Sequence, residues 1–208
     1  MSRRIAAKPG SDEGHRRILD AARGAFATVG FEGASLRTIS AEAGVLHTAM
    51  LYHFNTKDVL WRAVMTELFE DLTGRFARRT AELRSAAPER LARALVRDFV
   101  HFCAERPELH RIMTIEGRAN TDRLKWIVES HTRTLFENVI PMVSLASPAA
   151  AAGDPIRLYY AIVGVAASTF SLAPEFKQLS GRDPFRPKEI EATAAWVEGM
   201  IFGVKRSK

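Results

Sequence analysis

Apolar residues recur every three or four positions along this chain, the period of an α-helix. Nowhere do they form the alternating runs, bounded by turn residues, that strands show. Ser11 is placed to cap a first helix whose opening turn holds Asp12 and Glu13, residues suited to a helix N-terminus. Ile18, Ala22, Ala25, Phe26 and Val29 then share one face. Gly30 stops the helix and leaves Phe31-Glu32-Gly33-Ala34 as a short turn. Ser35 caps a second, short helix carrying Leu36, Ile39 and Ala43, which Gly44 ends. A third runs from about Leu46 to Phe54 and is broken by Asn55-Thr56. Thr56 caps a long fourth helix, Lys57 to about Arg84, with Leu60, Val64, Leu68, Leu72 and Phe76 along one side.

Beyond Ala86-Ala87-Pro88 the pattern predicts a larger helical unit. Pro88 to Glu105 forms one helix with Leu91, Leu95, Phe99 and Phe102 as its apolar face. Pro107 opens a short one reaching about Ile115. Thr121 to Leu145 is another long helix. Ser147 to Gly153, Ala-rich and bracketed by Pro148 and Pro155, reads as a loop. Pro155 begins a helix holding the longest uncharged apolar stretch, Leu158 to Ala173. That stretch is shorter than the ~20 residues a bilayer crossing needs, so a buried helix is expected. Arg182 to Pro187 is a connector. The last helix, from about Lys188, sets Ile190, Ala194, Val197, Ile201 and Val204 on one stripe. The predicted fold class is all-α: residues 1–56 as three helices with a basic arm, then a larger helical domain over residues 57–208. No repeat is visible.

Composition narrows the class. Of 208 residues, 47% are hydrophobic and 26% charged, which excludes disorder over the whole chain and low-complexity structure. The single cysteine, Cys103, excludes an intramolecular disulfide and a multi-cysteine zinc site, and fits a reducing compartment. A net charge of +6 makes polyanions plausible partners, although a merely soluble basic protein has the same balance. Ser2 to Gly14 carries Arg3, Arg4 and Lys8 but no apolar core, so it is not a secretory signal. The expectation is a cytoplasmic protein with no membrane partner.

The second and third helices are joined by Ala43-Gly44-Val45. Two helices joined by a turn this tight make a helix-turn-helix, whose second helix lies in the DNA major groove. Gly44 suits the turn because only glycine takes the needed backbone conformation without penalty. Ile18, Phe26, Leu36, Ile39 and Val45 would form the small core. His47, Thr48, Tyr52 and His53 on the presented helix can each donate to a phosphate or a base edge. Lys57 opens the next helix, where its ammonium and the helix dipole both favour a phosphate. The plainer reading is that all of these are solvated helix residues.

The stretch from Ile18 to Ala63 resembles the N-terminal domain of TetR-family transcriptional regulators. The resemblance is carried by Ile18-Leu19-Asp20-Ala21-Ala22, Phe26-Ala27, Gly30-Phe31, Ser35-Leu36-Arg37-Thr38-Ile39-Ser40, Ala43-Gly44-Val45, Leu51 to Lys57 and Leu60. It implies a sequence-specific regulator of transcription. Ser35, Arg37 and Thr38 would then contact phosphates, His47, Thr48, Tyr52 and His53 would stand on the recognition helix, and Lys57 would clamp the backbone. Leu46 departs from the pattern: it stands where a polar N-cap is usual, and leucine cannot cap. It can instead meet a thymine methyl. His47 departs too, standing where a basic or small polar residue is common. Arg3, Arg4 and Lys8 are candidates for a DNA-binding arm.

The resemblance further implies that the larger domain binds a small molecule and dimerises through its last two helices. Ala161, Gly164, Val165 and Ser168 are small enough to admit a partner helix, and Ile190, Ala194, Val197 and Ile201 would add a stripe to the interface. A buried helix inside one subunit explains the same residues. A dimer would face a palindromic double-stranded operator with half-sites about 34–36 Å apart or a multiple. Phe99, Phe102, Met113, Trp126, Phe136, Tyr160 and Phe170 could line an apolar cavity, with Glu116 and His131 orienting an apolar or aromatic effector. Plain core packing, and a Glu116–Arg118 ion pair, are the alternatives. The implied mechanism is a repressor released by its effector through a tilt of the long fourth helix. An orphan dimeric regulator without ligand and a non-specific nucleic-acid binder are the rival readings. An enzyme is disfavoured: there is no Gly-rich phosphate loop, no HExxH and no nucleophile elbow. The histidines are scattered, Cys103 has no assignable base, and no metal or cofactor is expected.

Overall fold

A computed structural model describes residues 12–147 and 154–203, and among them every regular element is a helix. The basic arm, Ser11, most of the Ala-rich segment (148–153) and Val204 lie outside the described residues. Helix α1 is Asp12–Gly33, α2 Leu36–Glu42, α3 His47–His53 and α4 Lys57–Glu82. Then come α5 Pro88–Glu105, α6 Pro107–Glu116 and α7 Asp122–Ile127. A π turn, Val128–Thr132, runs on into α8 Arg133–Ala146. The last three are α9 Pro155–Ser171, α10 Ala173–Ser180 and α11 Pro187–Phe202. No single helix among the described residues is long and apolar enough to cross a membrane.

Local chemistry sets these boundaries. The Ser35, Thr56 and Thr121 hydroxyls accept from the backbone N–H groups of Thr38, Val59 and Leu124 at 3.1, 3.2 and 3.1 Å, capping α2, α4 and α7. Leu46 precedes α3 without any side-chain cap. Gly30, at φ 70°, breaks the helical path of α1, and a Cβ there would stand 3.1 Å from Ile115 of α6. The glycine therefore serves both the bend and the close approach of α6.

Two apolar clusters organise the bundle. The first joins Ile18, Phe26, Ile39 and Met50 of α1–α3 to Leu60 and Trp61 of α4, all fully buried, and continues to Ile112 of α6 and Ile127 of α7. It does not stop at residue 56, so the opening turns of α4 belong to the N-terminal core. The second is built around Val96, Val100 and Cys103 of α5, with Val143, Ala166, Phe170, Ala194 and Val197.

Several expectations change. Val29 is exposed, just before the break at Gly30. The predicted long helix from Thr121 carries the π turn. Helix α10 was not foreseen, although Pro174 in its first turn and Gly181 at its left-handed C-cap (φ 67°) mark both ends. The stripe expected at a dimer interface is corrected: Ala194 and Val197 are fully buried, Ile201 nearly so, and Ile190 packs against the same cluster. An apolar stripe on a terminal helix is satisfied first by its own subunit, here by α5 and α9. The outward face of α11 instead presents Trp196 and Met200, 62% and 49% exposed.

Candidate nucleic-acid interface and internal cavity

Met50 and Phe54 anchor α3 in the N-terminal core, and this turns the other side of the helix outward. His47, Thr48 and Tyr52 are exposed there, Tyr52 by 73%, beside Leu46 at 75%. Ser35, Arg37 and Thr38 are exposed at the start of α2, with the Ser35 and Thr38 hydroxyls 2.8 Å apart. His53 is half-buried, its ring 5.4 Å from that of His15 on α1. Lys57 departs from the picture of a free phosphate ligand. Its ammonium donates to the Ala34 carbonyl at 3.0 Å, lies 3.5 Å from that of Glu32, and sits 4.4 Å over the Phe31 ring. The turn after Gly30 brings those carbonyls to it. Arg17, which the sequence reading passed over, places its guanidinium beside the turn glycine, 3.5 Å from where a Cβ of Gly44 would lie. Its Nε is buried with no hydrogen-bond partner among the described residues.

A charged node joins this unit to the rest of the bundle. Arg123 donates to the buried Glu116 carboxylate at 3.2 Å and to Glu32 at 3.1 Å, and stacks 3.9 Å from the Phe31 ring centroid. Glu116 thus pairs with Arg123, not with Arg118, and it does not line the cavity described next. Spacing along one helix end suggested the wrong partner, because the true one arrives from the following helix.

A cavity of about 560 Å³ lies between α4, α5, α6, α8 and α9. Phe99, Phe102, Met113 and Tyr160 stand on its wall, whereas Trp126, His131 and Phe170 do not. Trp126 packs against Trp61 at 5.8 Å and under the Arg62 guanidinium at 4.7 Å. His131 stacks on Phe69 with centroids 4.8 Å apart, and burial holds its imidazole below the usual pKa against an opposing pull from Glu70. Phe170 is fully buried against Phe185, and Phe136 meets Tyr159 edge-on at 5.8 Å. The cavity instead recruits Leu124, the π-turn residues Val128 and Thr132, and Tyr159, whose phenol burial pushes up to about 12. Cys103 also lines it, its thiol pushed well above the ordinary range by burial. The His110 Nδ1 lies 3.1 Å from the Ser171 hydroxyl, and burial lowers the pKa of that imidazole too. Of the small residues on α9, Ala161 and Gly164 are exposed, and Val165 and Ser168 are half-buried.

A short capped helix, a glycine turn and a presented second helix, mounted on a helical body, define a helix-turn-helix regulator of transcription. Residues 18–64 match the family described as bacterial regulatory proteins, tetR family. Over 182 residues it is 25% identical to the HTH-type transcriptional regulator RutR of Escherichia coli K12, covering 86% of this chain and 82% of the relative. Among solved structures, a putative fatty acid metabolism regulator of Clostridium perfringens superposes with a TM-score of 0.68 at 17% identity, covering 92% of this chain and all of that one. The transcriptional regulator FadR of Bacillus subtilis, solved with stearoyl-CoA, gives 0.62 at 14% identity, covering 91% and 99%. These similarities extend the shared fold through the larger domain. The relatives are regulators of transcription, which are not enzymes.

Proposed function

We propose that this chain is a cytoplasmic, homodimeric repressor that reads a palindromic operator and is released from it by a small apolar effector. In this reading residues 1–56, with the opening turns of α4, bind DNA, and the remainder binds the effector and the second subunit. Ser35, Arg37 and Thr38 contact phosphates. His47, Thr48 and Tyr52 reach base edges, and Leu46 offers an apolar group to a thymine methyl. His53 and Lys57 hold the unit together from its inner side. Ala161, Gly164, Val165 and Ser168 of α9 meet a partner, joined by Trp196 and Met200 rather than by the buried stripe of α11.

The observation that carries this reading is the outward face of α3: it is exposed, and its helix is anchored from behind by Met50 and Phe54. The effector half rests on the apolar cavity, whose volume falls in the roughly 300–1,000 Å³ range of small-molecule sites. Stearoyl-CoA in a structural neighbour supports a chain-like effector. The two halves meet at Arg123 and α6, whose residues line the cavity on one side and touch Gly30 on the other. The test is selection of duplexes from a random pool at near-physiological salt. A palindromic motif supports the proposal. Salt-sensitive binding without an enriched motif would mean a non-specific binder.

A further inference from the structure

The charge on the cavity wall narrows the chemistry of its occupant. The wall is mostly leucine, valine, isoleucine and phenylalanine, and among the described residues no aspartate or glutamate lines it. Its basic side chains are Arg106, His110 and Arg118. Arg106 and Arg118 flank opposite ends of α6, whose 10 residues span about 15 Å. Arg106 is already matched, its Nε 3.3 Å from the Asp71 carboxylate. His110 is engaged with Ser171, and burial favours its neutral form. Arg118 differs from both. It follows Gly117 at the open end of α6 and is exposed; its backbone N–H donates to the Ile115 carbonyl at 3.4 Å, while its guanidinium has no carboxylate, hydrogen-bond or aromatic partner among the described residues.

We propose that the cavity takes an amphipathic molecule with an anionic end, a carboxylate or a phosphate, paired with Arg118 at the rim, its apolar body lying along Phe99, Phe102 and Met113. This rests on reading the cavity as the effector site. A neutral occupant leaves the Arg118 charge unmatched, and a cationic one adds repulsion. Either oxyanion accepts the forked donors of a guanidinium. Because Arg118 stands at the solvent edge, the contribution is modest and salt-sensitive.

The test uses the full chain and four ligands sharing one saturated dodecyl chain: dodecanoate, dodecyl phosphate, methyl dodecanoate and dodecyltrimethylammonium. Binding is measured by calorimetry below the concentrations at which they form micelles. At least one of the two anions should bind roughly five-fold more tightly than the ester, and the cation most weakly. Which anion leads identifies the head group. The margin should shrink with added salt and vanish in Arg118→Gln, a variant whose unfolding midpoint should match the wild type because the side chain has no partner to lose. Equal binding of anions and ester, or an anion preference that survives in Arg118→Gln, overturns the inference while leaving the cavity as a binding site. Binding of none of the four overturns the cavity reading itself, and the inference with it.

Discussion

The two ends of this molecule use the same element differently. In the N-terminal unit, Ile18, Phe26, Ile39 and Met50 interlock with no exposed surface, and the short helices are pinned in one arrangement. In the larger domain, the helices leave a cavity of about 560 Å³ between them. A filled core fixes the position of what stands outside it. A hollow one forgoes the contacts its lining atoms would make, so it gains stability when a ligand supplies them. A surface that must hold a register on DNA belongs on the first kind of core. A site that must answer to an occupant belongs in the second.

The sharpest way to test that contrast is truncation on each side. Phe26→Ala should cost about 3–5 kcal/mol in urea denaturation, while Met113→Ala on the cavity wall should cost clearly less, its side chain having fewer neighbours to lose. Equal losses would erase the distinction. Arg123→Met, at the joint between the regions, should cost about 3 kcal/mol because it strands the buried Glu116 carboxylate. Adding Glu116→Gln should recover part of that loss, and no recovery would show that the ion pair is not the origin of the effect.

Smaller effects are expected at the DNA face. Tyr52→Ala should weaken a selected operator by about 1–3 kcal/mol more than random DNA, read by competition binding. Equal loss on both would mean that Tyr52 positions without specifying. Arg37→Ala should lower the salt slope of binding by about one. Lys57→Ala should change it less, because that ammonium already donates to a backbone carbonyl.

The smallest effect concerns pH. Burial lowers the pKa of His110 and His131 from the ordinary 6.5, so in the fold both stay neutral where the unfolded chain begins to protonate. Their contribution is therefore intact above pH 6.5 and is lost progressively as pH falls below it. Denaturation between pH 7 and 5 should show that slope, and His110→Gln should flatten it.

What the sequence made legible follows the same division. Ser35, Thr56 and the glycines at 30 and 44 announce themselves because caps and positive-φ turns demand particular residue types whatever surrounds them. The buried face of the N-terminal helices was legible for a related reason: Ile18, Ala22, Phe26 and Ile39 pack inward as their spacing predicts, while Val29 is exposed. In the larger domain the same periodicity has two outcomes. Phe99 faces the void and Phe170 a filled core, yet each sits on an apolar stripe, and nothing local separates them. Ala194 and Val197 could equally have met a second subunit. Long-range ion pairs were invisible for want of any spacing rule: Arg123 reaches Glu32 from a distant part of the chain.

The proposed switch couples the exposed face of α3 to the cavity. It is tested most directly by closing a thermodynamic cycle on the full chain: affinity for a selected duplex with and without saturating dodecanoate, and affinity for dodecanoate with and without the duplex. Each should weaken the other by the same factor, since coupling between two sites is reciprocal. Dodecanoate that binds in the cavity yet leaves duplex affinity unchanged would contradict it, and would leave a DNA-binding unit joined to a site that does not control it.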